Sequence, residues 1–150
     1  MIVLEAGRGS ARRVELESWL ARERDAGVSS TWLLPCDAGE HGVWAGPNAW
    51  IESILPDLEA RAPELFTRHD SELVAVLPSL RRRVQPRYVP LTEAVVPEES
   101  VRNYAMDRAY RLGHGLIDLL DEWHVLTGGG RWAVACDDYD RCGALVGRFF

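Results

Sequence analysis

The chain alternates short apolar runs with longer stretches in which apolar residues recur every three or four positions. Ile2–Leu4, Thr31–Cys36 and Arg131–Cys136 are the short runs, and each reads as a strand. Arg12–Ala26 carries Val14, Leu16, Trp19 and Leu20 at helical spacing, with Gly27 placed to end it. Asp37–Asn48 is a glycine-bearing loop. Ala49–Ala60 repeats the helical pattern in Trp50, Ile54 and Leu58, and Pro56 is expected to kink or divide it. Pro63–Phe66 reads as a short amphipathic turn. Ser71–Tyr88 reads as one helix and a long connection, broken by Pro78 and Pro86. Glu98–Trp123 is the longest predicted helix, with Val101, Ala105, Leu112, Leu116, Leu119, Leu120 and Trp123 on one face. Gly113 and Gly115 inside it imply a kink or a close approach. Tyr139–Phe150 is expected to begin a last helix. No internal repeat is evident.

Composition narrows the class. A chain of 150 residues, 47% hydrophobic and 27% charged, suits one soluble domain. The net charge of −6 argues against a general nucleic-acid binder, because phosphate would be repelled overall. No apolar run is long enough to span a membrane. Cys36, Cys136 and Cys142 form no tight pair in sequence and suggest reduced thiols in a cytoplasmic protein. All seventeen basic residues are Arg. With many Ala, Gly and Val, this points to a bacterial genome rich in G and C. It also leaves no lysine to clamp a phosphate. The six Trp are spread along the chain and read as core.

Two stretches carry candidate chemistry. Met1–Val14 runs from an apolar segment through a small-residue turn into a helix, the order in which phosphate loops are built. Against G-x-x-x-x-G-K-[ST], Ala6 and Ala11 replace the outer glycines. Arg12 stands for the lysine and Arg13 for the hydroxyl residue, while Gly7 and Gly9 remain to relax the turn. The turn either contacts an anion or simply joins strand to helix. Arg12 and Arg13 are cations at a helix N-terminus, a mismatch that favours an anionic partner such as a carboxylate. At the other end, the third strand delivers Asp137 and Asp138. The first acid could organise a metal's water shell and the second polarise an attacking water. Equally, both could cap the following helix. The metal-capable types Cys36, Asp37, Glu40 and His41 match no common zinc spacing.

Four segments together resemble a family. They are Leu4–Arg13, the strand ending in Cys36, the loop Trp44-Ala45-Gly46-Pro47, and Val134-Ala135-Cys136-Asp137-Asp138-Tyr139-Asp140. They are similar to the N-terminal part of the ATPase domain of bacterial STAND-type, AAA-class P-loop NTPases, which are ATP-dependent signalling and transcription regulators. By that resemblance the first segment corresponds to a degenerate Walker A loop and the last to Walker B. The fold expected is α/β, a parallel sheet flanked by helices with P-loop NTPase topology, forming a single but incomplete domain over residues 1–150. Gly7, Gly9, Ser10, Arg12 and Arg13 would face nucleotide, Asp137 would face Mg²⁺, and Asp138 would be the catalytic acid. ATP with Mg²⁺ is the implied cofactor, with protein partners or a downstream domain beside it. Loss of the lysine and of the hydroxyl residue implies weak binding and little or no hydrolysis. The alternative is a scaffold or interaction segment that binds no nucleotide.

Overall fold

The computed structural model describes residues 11–84 and the backbone of 101–150, with side chains from residue 109 in the second stretch. The predicted strand Ile2–Leu4, Gly7, Gly9, Ser10 and most of the connection before the long helix lie outside the described residues. The protein is mixed α/β and rich in helix, and among the described residues two strands pair in a small parallel sheet. Two compact units divide it. One comprises Met1–Trp50, Gly128–Arg148 and Phe150; the other comprises Ile51–Thr127 and Phe149.

In the first unit, helix α1 (Ala11–Asp25) closes on Gly27, which takes φ 85°. The Gly27 N–H donates to the Arg24 carbonyl and the Val28 N–H to that of Glu23. This pair of reversed bonds satisfies carbonyls that the helix end would otherwise leave bare. The buried stripe of α1 is narrower than predicted. Leu20 is buried and Leu16 and Trp19 partly so, but Val14 faces solvent. Leu16, Trp19 and Leu20 are the α1 residues that pack on the described strands.

Strands β1 (Ser30–Pro35) and β2 (Trp132–Asp137) pair in parallel, from Ser30 opposite Trp132 to Pro35 opposite Asp137. Parallel neighbours need a long crossover, which the intervening chain supplies. Alternation assigns the faces. Leu33, Ala133 and Ala135 join Leu16, Trp19, Leu20 and Val28 of α1 and its exit turn in one cluster. Trp32, Leu34, Trp132 and Cys136 belong to the other face.

On that second face three of the six tryptophans meet, so they are not spread in space as they are in sequence. Trp32 lies 5.3 Å from Trp132 and 5.4 Å from Trp50, and the Trp50–Trp132 centroids are 5.8 Å apart. The tilted and edge-on geometries suit aromatic quadrupoles. Phe150 stacks on Trp50 at 6.3 Å. After β1, Asp37 caps the short helix α2 (Ala38–His41), with its Oδ1 accepting from the Gly39 N–H at 2.8 Å. The predicted loop is thus partly helical. After β2 the chain makes a 3₁₀ turn (Tyr139–Arg141) and then, past Cys142 and Gly143, a further short helix at Val146–Phe149. The single terminal helix expected there is divided by that irregular step.

The second unit is helical. Helix α3 (Pro47–Arg61), which begins in the first unit, is continuous through Pro56. Pro56 and Glu52, whose carbonyl the proline leaves without its helical donor, are both exposed residues. Helices α4 (Pro63–Arg68) and α5 (Asp70–Val76) and a 3₁₀ turn (Pro78–Arg82) follow. Helix α6 (Val101–Leu126) runs without a break. Leu116, Leu119, Leu120 and Trp123 form its buried stripe, as the spacing predicts, while His114 is exposed. Gly115 is a close approach, since a Cβ there would come within 2.7 Å of the Glu72 side chain of α5. Gly113 has no such neighbour.

Candidate functional site

Charge converges where the parallel strands end. Asp137 is the last residue of β2, and the chain then turns sharply through Asp138, whose φ is 52°. Few residues other than glycine tolerate this left-handed conformation, and Asp is one of them. The turn is held from both sides. The Asp138 N–H donates to Asp137 Oδ1 at 3.0 Å, and the Asp138 carbonyl accepts from the Arg141 N–H at 2.9 Å.

Arg12 reaches this turn because α1 covers the sheet face to which alternation assigns Asp137. Its Nε lies 3.4 Å from Asp137 Oδ1, its Nη2 contacts Asp138 Oδ1, and its Nη1 lies 3.7 Å from Asp140 Oδ1. One planar guanidinium fork thus serves three carboxylates, which a compact ammonium would do less well. The arrangement also offsets the cost of a cation in the first turn of a helix. Arg13 lies elsewhere and pairs on the exposed side of α1 with Glu17 at 3.1 Å. The two arginines that the sequence places together therefore pair with different partners.

The end of β1 contributes as well. Asp37 is buried, and its Oδ2 lies 2.7 Å from Arg141 Nη1. The edge thus holds Asp37, Asp137, Asp138 and Asp140 against Arg12 and Arg141. Among the described residues no group of three or more His, Cys, Asp or Glu side chains is arranged to hold a metal ion. A groove of about 840 Å³ lies in the helical unit, lined by residues that include Arg61, Arg68, Glu122 and Val125.

The three cysteines gather beside this edge. Interaction with the Cys136 side chain on the same sheet face, with burial second, pushes the Cys36 pKa far up. The same interaction lowers the Cys136 pKa, with burial opposing it. Cys142 is raised by burial and then by the neighbouring Cys136 charge.

Sequence reasoning missed Arg141, the tryptophan trio and the thiol pair. A signal for the last two was present. Trp-x-x-x-Cys-Asp occurs twice, at Trp32–Asp37 and at Trp132–Asp137. The spacing puts Trp and Cys of each copy on one strand face, and parallel pairing brings the copies together with a stagger of two residues.

No family model, curated protein or solved structure matches the chain. No helix among the described residues is long and apolar enough to cross a membrane.

Proposed function

We propose that this chain is an ATPase-like nucleotide-binding module of a bacterial signalling or regulatory protein, related to the STAND and AAA P-loop NTPases, that holds ATP weakly and turns it over little or not at all. The observation carrying this reading is the ion pairing of Arg12 with Asp137 and Asp138 at the C-terminal ends of parallel strands. Open α/β sheets bind ligands at that edge. Arg12 supplies a cation for phosphate. Asp137 and Asp138 supply the hard oxygens Mg²⁺ prefers, and Mg²⁺ needs only one or two carboxylates when phosphate and water complete its shell.

The donor set therefore fits the ion, and the chain's own cation holds those oxygens in the meantime. Asp137 and Asp138 would hold Mg²⁺, which would neutralise phosphate charge. Arg12 would exchange carboxylates for phosphate oxygens, and Gly7, Gly9 and Ser10 would face the same phosphates. Poor turnover follows from the chain's own residues. There is no lysine, Arg13 points to Glu17, and Asp138 as a catalytic acid would have to give up Arg12 before orienting a water.

A specific observation favours a second reading, a protein-interaction scaffold without nucleotide: Arg12 is already satisfied by three carboxylates. Calorimetric titration of Mg·ATP into the purified chain separates the two. Saturable binding at sub-millimolar ATP, lost on Asp137→Ala, supports the module. Absence of heat at several millimolar ATP leaves the scaffold.

A further inference from the structure

We infer that the groove along α4 and the end of α6 docks a basic amphipathic helix of a protein partner. That helix sets aliphatic side chains on Val125 and Leu126 and places arginine or lysine against Asp121 and Glu64. The groove belongs wholly to the helical unit and measures about 840 Å³, room for several side chains of a partner. Val125 and Leu126, in the last turn of α6, line it and are 73% and 59% exposed. Leu65 of α4, itself buried, is also in its lining. Ile117 is exposed as well and stands at helical spacing before Asp121 and Val125, so the apolar line continues along α6.

Charge names the occupant. Both cations of the lining are taken: Arg61 pairs with Asp57 at 3.3 Å and Arg68 with Glu122 at 2.5 Å. Glu64 and Asp121, which also line the groove, have no ion-pair partner among the described residues. Asp121 and Glu122 stand near the negative end of the α6 dipole, and the one basic residue of the last turn is His124. That wall therefore complements an arginine or lysine and repels phosphate, which argues against nucleic acid and anionic lipid. The walls are helices whose main-chain groups bond within the helix. Thr127 Oγ1 donates toward the Trp123 and His124 carbonyls at 3.0 and 3.1 Å. An added strand finds few main-chain groups to pair with there. A helix brings its own main chain satisfied and packs side chain to side chain along α6. The groove shares no residue with the sheet edge, so it serves whether or not nucleotide binds there.

Selection and charge exchange test the surface. A phage-displayed library of helical peptides, randomised along one face, is selected on the native chain, and one recovered peptide is synthesised and titrated by fluorescence anisotropy. Recovered peptides should carry arginine or lysine beside leucine, isoleucine, methionine or phenylalanine. Asp121→Arg and Val125→Asp should each weaken the titrated peptide about tenfold or more. Their circular dichroism should match wild type, because both side chains are exposed. Replacing the basic residues of the peptide by glutamate should abolish binding to wild type and strengthen it toward Asp121→Arg, a reversal that misfolding does not produce. Failure to enrich any peptide, enrichment of acidic peptides, or binding that survives both substitutions overturns the inference. So does a dimer in sedimentation equilibrium that Val125→Asp dissolves, since a second copy is then the occupant.

Discussion

The two units handle charge in opposite ways. In the helical unit, cations meet carboxylates at exposed positions: Arg83 with Glu59 at 2.6 Å, Arg61 with Asp57 at 3.3 Å, and Arg68 with Glu122 at 2.5 Å. Water competes for each of these pairs, and they contribute little to stability. In the unit that holds the sheet, one guanidinium is shared by three carboxylates, and a buried carboxylate is held by a second arginine. Convergence of like charges costs energy, and a fold tolerates it where the shape of a strand end leaves no alternative or where a ligand uses it. The helical unit is therefore stabilised by its apolar stripe. The sheet edge is an electrostatic device whose parts depend on one another.

Three substitutions test this contrast. The largest effect belongs to Leu116→Ala in α6. Its side chain is fully buried, and its loss should lower unfolding stability by about 2–5 kcal/mol, read from the urea midpoint. A change below about 1 kcal/mol would mean that the apolar stripe is not what holds that unit. Arg12→Ala comes next. It leaves three carboxylates facing one another, two of them partly screened by solvent, for an expected cost of about 1–2 kcal/mol. Because the defect is like-charge repulsion, raising the salt to about 1 M should recover much of the loss, whereas a packing defect would not respond. Arg83→Ala should be the mildest, within about 0.5 kcal/mol of wild type, as expected for a pair in which the arginine is largely exposed. Equal losses for Arg12→Ala and Arg83→Ala would abolish the distinction between the two units.

Legibility followed the range of the interaction. The long helix was readable because Leu116, Leu119, Leu120 and Trp123 recur at the helical period, and burial of such a stripe needs no knowledge of its partner. Gly27 announced the end of α1 because its positive φ is a local requirement. The carboxylate partner of Arg12 was anticipated only as a type, from the mismatch between cation and helix N-terminus. Its identity depended on a residue more than a hundred positions away. Pro56 does not divide α3: it and Glu52, whose carbonyl it leaves without a helical donor, are both exposed residues, where water can take the donor's place. The terminal helix failed because Cys142 and Gly143 interrupt a pattern too short to show the break. Val14 fell on the predicted stripe but is exposed, outside the cluster that Leu16, Trp19 and Leu20 form with the described strands.

What the chain determined by itself was periodic or local: the longer helices and the two described strands, where α1 stops, and that acids follow the second of those strands. These depend on neighbours within a turn or two, so they are written in consecutive residues. Tertiary structure alone decided that Arg12 faces the acids while Arg13 turns to Glu17, and that Trp32, Trp50 and Trp132 meet. It also decided that Cys36 lies against Cys136. Each of those outcomes rests on the parallel register of β1 and β2, a pairing between segments nearly a hundred residues apart. A shift of one residue would move every side chain of one strand to the opposite face.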